Sequence, residues 1–129
     1  MKILHTTLRI LLGLFLLMPV AGVTGLIPEP TAEMYTPEGW VFMSALMSSG
    51  YMMPLIAITC GICAVLFLAN RTALAAVLLA PFTVNVIAYH WFFDPTPISA
   101  ESSLAYVLLV LNVFFLIRNK KAYAPLWSL

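Results

Sequence analysis

The stretch RTALAAVLLAPFTVNVIAYHWFFDP, residues 71–95, decides how this chain is read. Between Arg71 and Asp94 it holds no Asp, Glu, Lys or Arg. A helix over 72–93 would be about 33 Å long at about 1.5 Å per residue, enough to cross about 30 Å of hydrocarbon. A cation stands at one end of this run and an anion at the other. Outward from it, the pattern repeats. Further apolar runs occupy 8–27, 51–69 and 101–118. Lys2 and Arg9 lie at the start of the first run, and Arg118, Lys120 and Lys121 at or beyond the end of the last. The other two connections carry Glu29, Glu33, Glu38, Asp94 and Glu101, and no Lys or Arg. Four crossings would put every cation on one face of a membrane and every anion on the other, the positive-inside pattern. The expected architecture is therefore all-α: one integral membrane domain over 1–129, a four-transmembrane-helix bundle with both termini cytoplasmic.

Composition places the chain in the same class. It is 63% hydrophobic and 9% charged, where a soluble domain is about a quarter charged. No basic patch or glycine-rich phosphate loop points to nucleic acid or nucleotide partners. The bilayer itself is the first partner implied.

Within the first run, Pro19 should kink the helix, because it lacks an N–H and crowds the carbonyl of Phe15. Arg9 is expected to snorkel toward the headgroups. Ala21, Gly22 and Gly25 offer close helix packing. A rival reading makes this segment a cleavable signal peptide. The run is long for such a signal's apolar core of about 7–15 residues, and cleavage would leave three spans. Pro28, Glu29 and Pro30 open a loop. TPEGWVFMSALMSS then predicts a short interfacial helix, with Thr36 as N-cap, Pro37 in the first position and Glu38 at the positive helix end. The turn at Asn70-Arg71 is tight, and its Asn-Arg-Thr sequon is incidental on that side of the membrane. Tyr89-His90-Trp91-Phe92-Phe93 is an aromatic belt, and Asp94-Pro95-Thr96-Pro97 stops the helix. Tyr123 and Trp127 suit the inner interface.

Three sets of residues could carry chemistry. Cys60 and Cys63, the only cysteines, form a CxxC whose members share a helix face within disulfide range. Such a pair serves redox or metal chemistry in soluble proteins. Roughly 13 Å below the surface a thiolate is costly and zinc lacks further ligands, so two small packing residues is the plainer reading. His90 and Asp94, four apart, form a candidate pair for relaying protons or orienting a quinone or thiol partner; the plainer reading is an interfacial histidine beside a loop aspartate. Thr59, Asn85 and Asn112 fall at depths within about 4–5 Å of one another, counted from the expected outer helix ends. They are either interhelical hydrogen-bond glue or a polar pocket for a cofactor headgroup. Asn85 and His90 are about 140° apart around a helix, so one pocket would not use both.

SGYMMPLI at 49–56, LAPFTVNVIAYHWFFDP at 79–95 and YAPL at 123–126, with the LRILLGLFLL opening, resemble the DoxX-like family of small four-helix membrane proteins. The resemblance spans nearly the whole chain. It implies a bacterial inner-membrane bundle. The family takes its name from a membrane subunit of a thiosulfate:quinone oxidoreductase, and some relatives are thought to join thiol-redox partners. Two departures stand out. Cys60 falls where many relatives have an acidic residue, and Val23-Thr24-Gly25 where many have a lysine. The CxxC also invites comparison with four-helix bundles of the vitamin K epoxide reductase type, whose dithiol must be reachable from the outer surface. The expected function is an accessory subunit of a membrane redox assembly, without catalytic activity of its own, in which a quinone is the one cofactor to consider. The alternatives are a quinone-coupled thiol oxidoreductase using Cys60 and Cys63, and a small transporter or scaffold.

Overall fold

A computed structural model describes residues 1–94, 99 and 102–127. The expected turn at 95–97 and the expected start of the fourth run at 101 lie outside them. The chain is 81% helix, with no strand among the described residues. The helices are α1 (Lys2–Phe15), α2 (Met18–Val23), α3 (Pro37–Ser48), α4 (Met52–Leu68), α5 (Thr72–Phe93), α6 (Ser103–Arg118) and α7 (Lys120–Trp127), with a 3-10 turn at Ala32–Met34.

The first apolar run breaks between α1 and α2, after Phe15, whose carbonyl Pro19 deprives of its donor. The helix also begins at Lys2, earlier than the apolar run, and ends at Val23, short of residue 27. The early stop has a local cause. Thr24 Oγ1 donates to the carbonyls of Val20 and Ala21, and Gly25 turns left-handed at φ 76°. The Leu26 N–H then reaches back to the Ala21 carbonyl, closing the helix end. The α4–α5 turn uses the same device, with Asn70 at φ 61° and the Arg71 N–H bonded to the Leu66 carbonyl.

The packing order is α1–α4–α5–α6. Each helix buries a narrow stripe. On α4 it is Ala57, Cys60, Cys63, Ala64 and Phe67; on α5 it is Thr72, Ala75, Ala76, Leu79 and Thr83; on α6 it is Ala105, Leu108, Asn112 and Phe115. The spacings are helical, and the small members let backbones approach. Gly13 does the same on α1, since a Cβ there would sit 3.0 Å from Leu68 Cγ and 3.3 Å from the Ala64 carbonyl.

The opposite faces are equally apolar and open. Val65, Val110 and Ile117 are 64%, 66% and 62% exposed. Helices apolar on all sides belong in lipid or in a larger core. Lys2–Val23 and Thr72–Phe93 are each 22 residues and apolar enough to cross a membrane. The α4 and α6 helices reach that length only with their neighbours α3 and α7, which bend away by 86° and 66°. The chain thus has two membrane-crossing candidates, or up to four.

Charges collect at the two ends of this array. At the basic end, Arg9 Nη1 donates to the carbonyls of Phe67 (2.9 Å) and Leu68 (2.6 Å). Its guanidinium thereby caps the negative C-terminus of α4. Asn119 and Thr72 bond each other, and Tyr123 Oη donates to the Ala73 carbonyl at 2.9 Å, which binds α7 beneath α5. At the acidic end α3 lies across the array. As expected, Thr36 is its N-cap and accepts from the Gly39 N–H. Its hydroxyl also donates to the Phe93 carbonyl at 2.7 Å. Phe42 then stacks on Phe93, with ring centroids 5.3 Å apart.

Thr36→Val keeps the shape and removes both bonds. It should cost about 1–2 kcal/mol, a lost N-cap plus a lost interhelical bond. In detergent, Tm should fall and proteolysis within α3 should quicken. An unchanged Tm with unchanged proteolysis would show that α3 is held by its aromatic contacts alone.

Candidate functional site

The site takes shape where α5 ends. His90 occupies its last turn and Asp94 its C-cap, where the backbone becomes extended. One helical turn separates them, so the side chains meet: His90 Nδ1 and Asp94 Oδ2 are 2.6 Å apart. Their side chains are 19% and 14% exposed, and so largely sheltered. An aromatic wall supports them. Tyr89 meets His90 edge-on at 5.4 Å between centroids and packs against Phe42, Tyr35 and Phe93. The wall is held close by Gly39, where a Cβ would fall 2.6 Å from Tyr89 Oη. Burial pushes the Tyr35 phenol above its ordinary pKa, so it stays neutral. A carboxylate on Nδ1 favours the proton there and leaves Nε2 as the acceptor. The arrangement can take up a proton from a group docked at this end, or return one.

Cys60 and Cys63 are free thiols with no exposed surface. They belong to the core with Leu12, Leu16, Ala64 and Phe67. A partner's disulfide has no path to either sulfur without displacing these neighbours.

The polar residues do not form one layer. Thr59 Oγ1 donates to Leu55, and Asn85 Nδ2 to Pro81, each on its own helix, and Asn85 points to the exposed side of α5. Asn112 is buried, and its Nδ2 donates across to the Ala76 carbonyl at 3.0 Å. Ala76 lies nine residues, about 13 Å, along α5 from Asn85. The expected depths counted each residue from its own helix end. The packing register between α5 and α6, which the sequence does not carry, separates them. Thr59, Asn85 and Asn112 therefore do not converge on one point, and the interhelical bond among them is the one from Asn112.

Two grooves exist elsewhere. One of about 650 Å³ lies between α2 and α4, lined by Val20, Thr24, Pro54, Ala57 and Gly61 among others. It is apolar, and the hydroxyl of Thr24 is already engaged with its own helix. The other, about 350 Å³, is at the α4–α5 turn and is lined by Asn70, Arg71, Thr72 and Asn119. Neither includes His90, Asp94 or a cysteine. No group of three His, Cys, Asp or Glu side chains placed to hold a metal occurs among the described residues.

Sequence reasoning missed the Thr36 bond to Phe93, the Arg9 cap on α4 and the Asn119–Thr72 pair. The first had a signal, since a free N-cap hydroxyl retains a donor after it accepts from the helix. The others depend on register. Comparison with protein families, curated proteins and solved structures finds no match to this chain.

Asn112→Leu should weaken the fold by about 0.6–2 kcal/mol, the range for interhelical hydrogen bonds in membranes. Asn85→Leu should cost less than about 0.5 kcal/mol, as for a surface change. Unfolding in mixed micelles would measure both. The reverse order would mean that Asn85 has an interhelical partner.

Proposed function

We propose that this chain is a four-span integral membrane protein of DoxX-like type, set in a bacterial inner membrane with both termini cytoplasmic. It serves as an accessory subunit of a redox assembly, presenting a proton-handling pair to a membrane or periplasmic oxidoreductase. Four spans are supported by the antiparallel packing of α4, α5 and α6 and by the separation of cations from anions at the two ends. With 17 and 16 residues, α4 and α6 are near the lower limit of about 17 for a spanning helix. The bends of 86° and 66° to α3 and α7 are those of helices that leave a span and turn along a surface.

The observation that carries the functional reading is the 2.6 Å His90–Asp94 pair beside an aromatic wall. A histidine hydrogen-bonded to a carboxylate is the kind of side chain that serves as a general acid or base. The redox group itself would reside on the partner. Full burial of Cys60 and Cys63 counts against the thiol oxidoreductase alternative, and the outward, self-bonded Asn85 counts against a transport cavity.

The test is thiol- or thiosulfate-dependent quinone reduction in membranes of the native host, with the chain deleted and then restored. Restoration should recover activity. His90→Ala should lose it by about 10²–10⁴-fold, the range for general acid–base groups, while the protein accumulates normally. The Cys60→Ala, Cys63→Ala double variant should retain it. Activity kept by His90→Ala and lost by the double variant would favour the thiol oxidoreductase. No dependence on the chain at all would leave a transporter or scaffold.

A further inference from the structure

We propose that α7 is a membrane-surface foot whose cations select anionic phospholipid headgroups. The proposal rests on the spanning reading and adds a lipid site at the basic end. Three observations carry it. First, α7 turns 66° from α6 and is tied under α5 by Tyr123 Oη on the Ala73 carbonyl. It therefore runs across the end of the array rather than away from it. Burial pushes the Tyr123 phenol up, which keeps the proton that this bond uses.

Second, Leu126 and Trp127 follow Tyr123 by three and four residues and so share its face, the face turned toward the helices. Yet they are 72% and 85% exposed. Both side chains are therefore largely uncovered by protein. Lipid is the environment that covers a tryptophan and a leucine in that position.

Third, the cations at the basic end have no carboxylate partner among the described residues. Arg118, Lys120 and Lys121 are exposed at the elbow between α6 and α7, and Arg71 is exposed in the neighbouring turn. Among the described residues the ion pair within 4.0 Å is His90–Asp94, at the other end. Glu29, Glu33, Glu38 and Asp94 all belong to that end as well. A cluster of cations with no carboxylate within 4.0 Å among the described residues, directly beside an apolar foot, complements a phosphodiester layer. Each cation near an anionic leaflet contributes about 1 kcal/mol, a factor of about five in lipid preference.

The experiment uses the full chain with Trp40→Phe and Trp91→Phe, which leaves Trp127 as the only tryptophan. It is reconstituted in phosphatidylcholine vesicles with or without phosphatidylglycerol. Trp127 emission should be blue-shifted and quenched by bromine-labelled acyl chains. Lipid retained on re-extraction should be enriched in phosphatidylglycerol. Lys120→Gln with Lys121→Gln should lower that enrichment by roughly fivefold for each charge removed. Water-like Trp127 emission, or enrichment unchanged in the double variant, would overturn the proposal while leaving the spanning reading intact. Protein stripped from the vesicles by alkaline carbonate would overturn the spanning reading, and this one with it.

Discussion

The backbone carbonyls of α5 are what the rest of the molecule holds. Tyr123 of α7 donates to Ala73, Asn112 of α6 to Ala76, and Thr36 at the head of α3 to Phe93. Three elements thus attach at the bottom, the lower part and the top of one helix. A carbonyl has two lone pairs, so one already engaged in the helix ladder can accept a second donor. In hydrocarbon, where water does not compete, a polar side chain must find such a partner. The stripe Thr72, Ala75, Ala76 makes the contact possible, because small side chains bring α6 within reach. Larger residues there would remove the bond and the packing together.

Charge follows the same rule at larger scale. Among the described residues the Lys and Arg side chains gather at one end of the array and the Asp and Glu side chains at the other. Arg9 shows how closely this is done. It lies about two turns inside α1, yet its guanidinium is spent on the last carbonyls of α4 rather than left in an apolar medium. The acidic end differs in kind. There His90 and Asp94 face each other under an aromatic wall, with α3 as a lid fixed by one threonine. The basic end thus presents exposed cations, and the acidic end an ionisable pair beside aromatic rings. The cysteines between them are packing residues of the α4 stripe, positioned by the same spacing that makes them resemble a redox motif.

Local features were legible in the sequence because their causes are local. The break after Phe15 follows from Pro19, the N-cap at Thr36 from the Thr-Pro-Glu order, and the His90–Asp94 meeting from one helical turn. The α5 limits also agree with the apolar run. What was not legible depends on how one helix slides along another. The layer of Thr59, Asn85 and Asn112 dissolves because α6 meets α5 low, at Ala76. The helical tail α7 was read only as an anchor, since Pro125 and a short polar start hide its periodicity. The first helix begins early for a tertiary reason too: His5 finds the Phe115 ring, 5.4 Å away.

Sidedness of four exposed positions tests the four-span arrangement most directly. Ile3→Cys, Ala32→Cys, Ala69→Cys and Ala122→Cys, each made singly with Cys60→Ala and Cys63→Ala, leave every charge in place. Labelling with an impermeant maleimide in intact cells and in inverted vesicles reads the side of each. Four spans require that the cysteine at position 32 label from one side and the other three from the opposite side. Position 69 is decisive, because it shares a side with 32 if α4 fails to cross. That result would leave the chain with fewer than four spans and contradict the segregation of charge on which the whole reading stands.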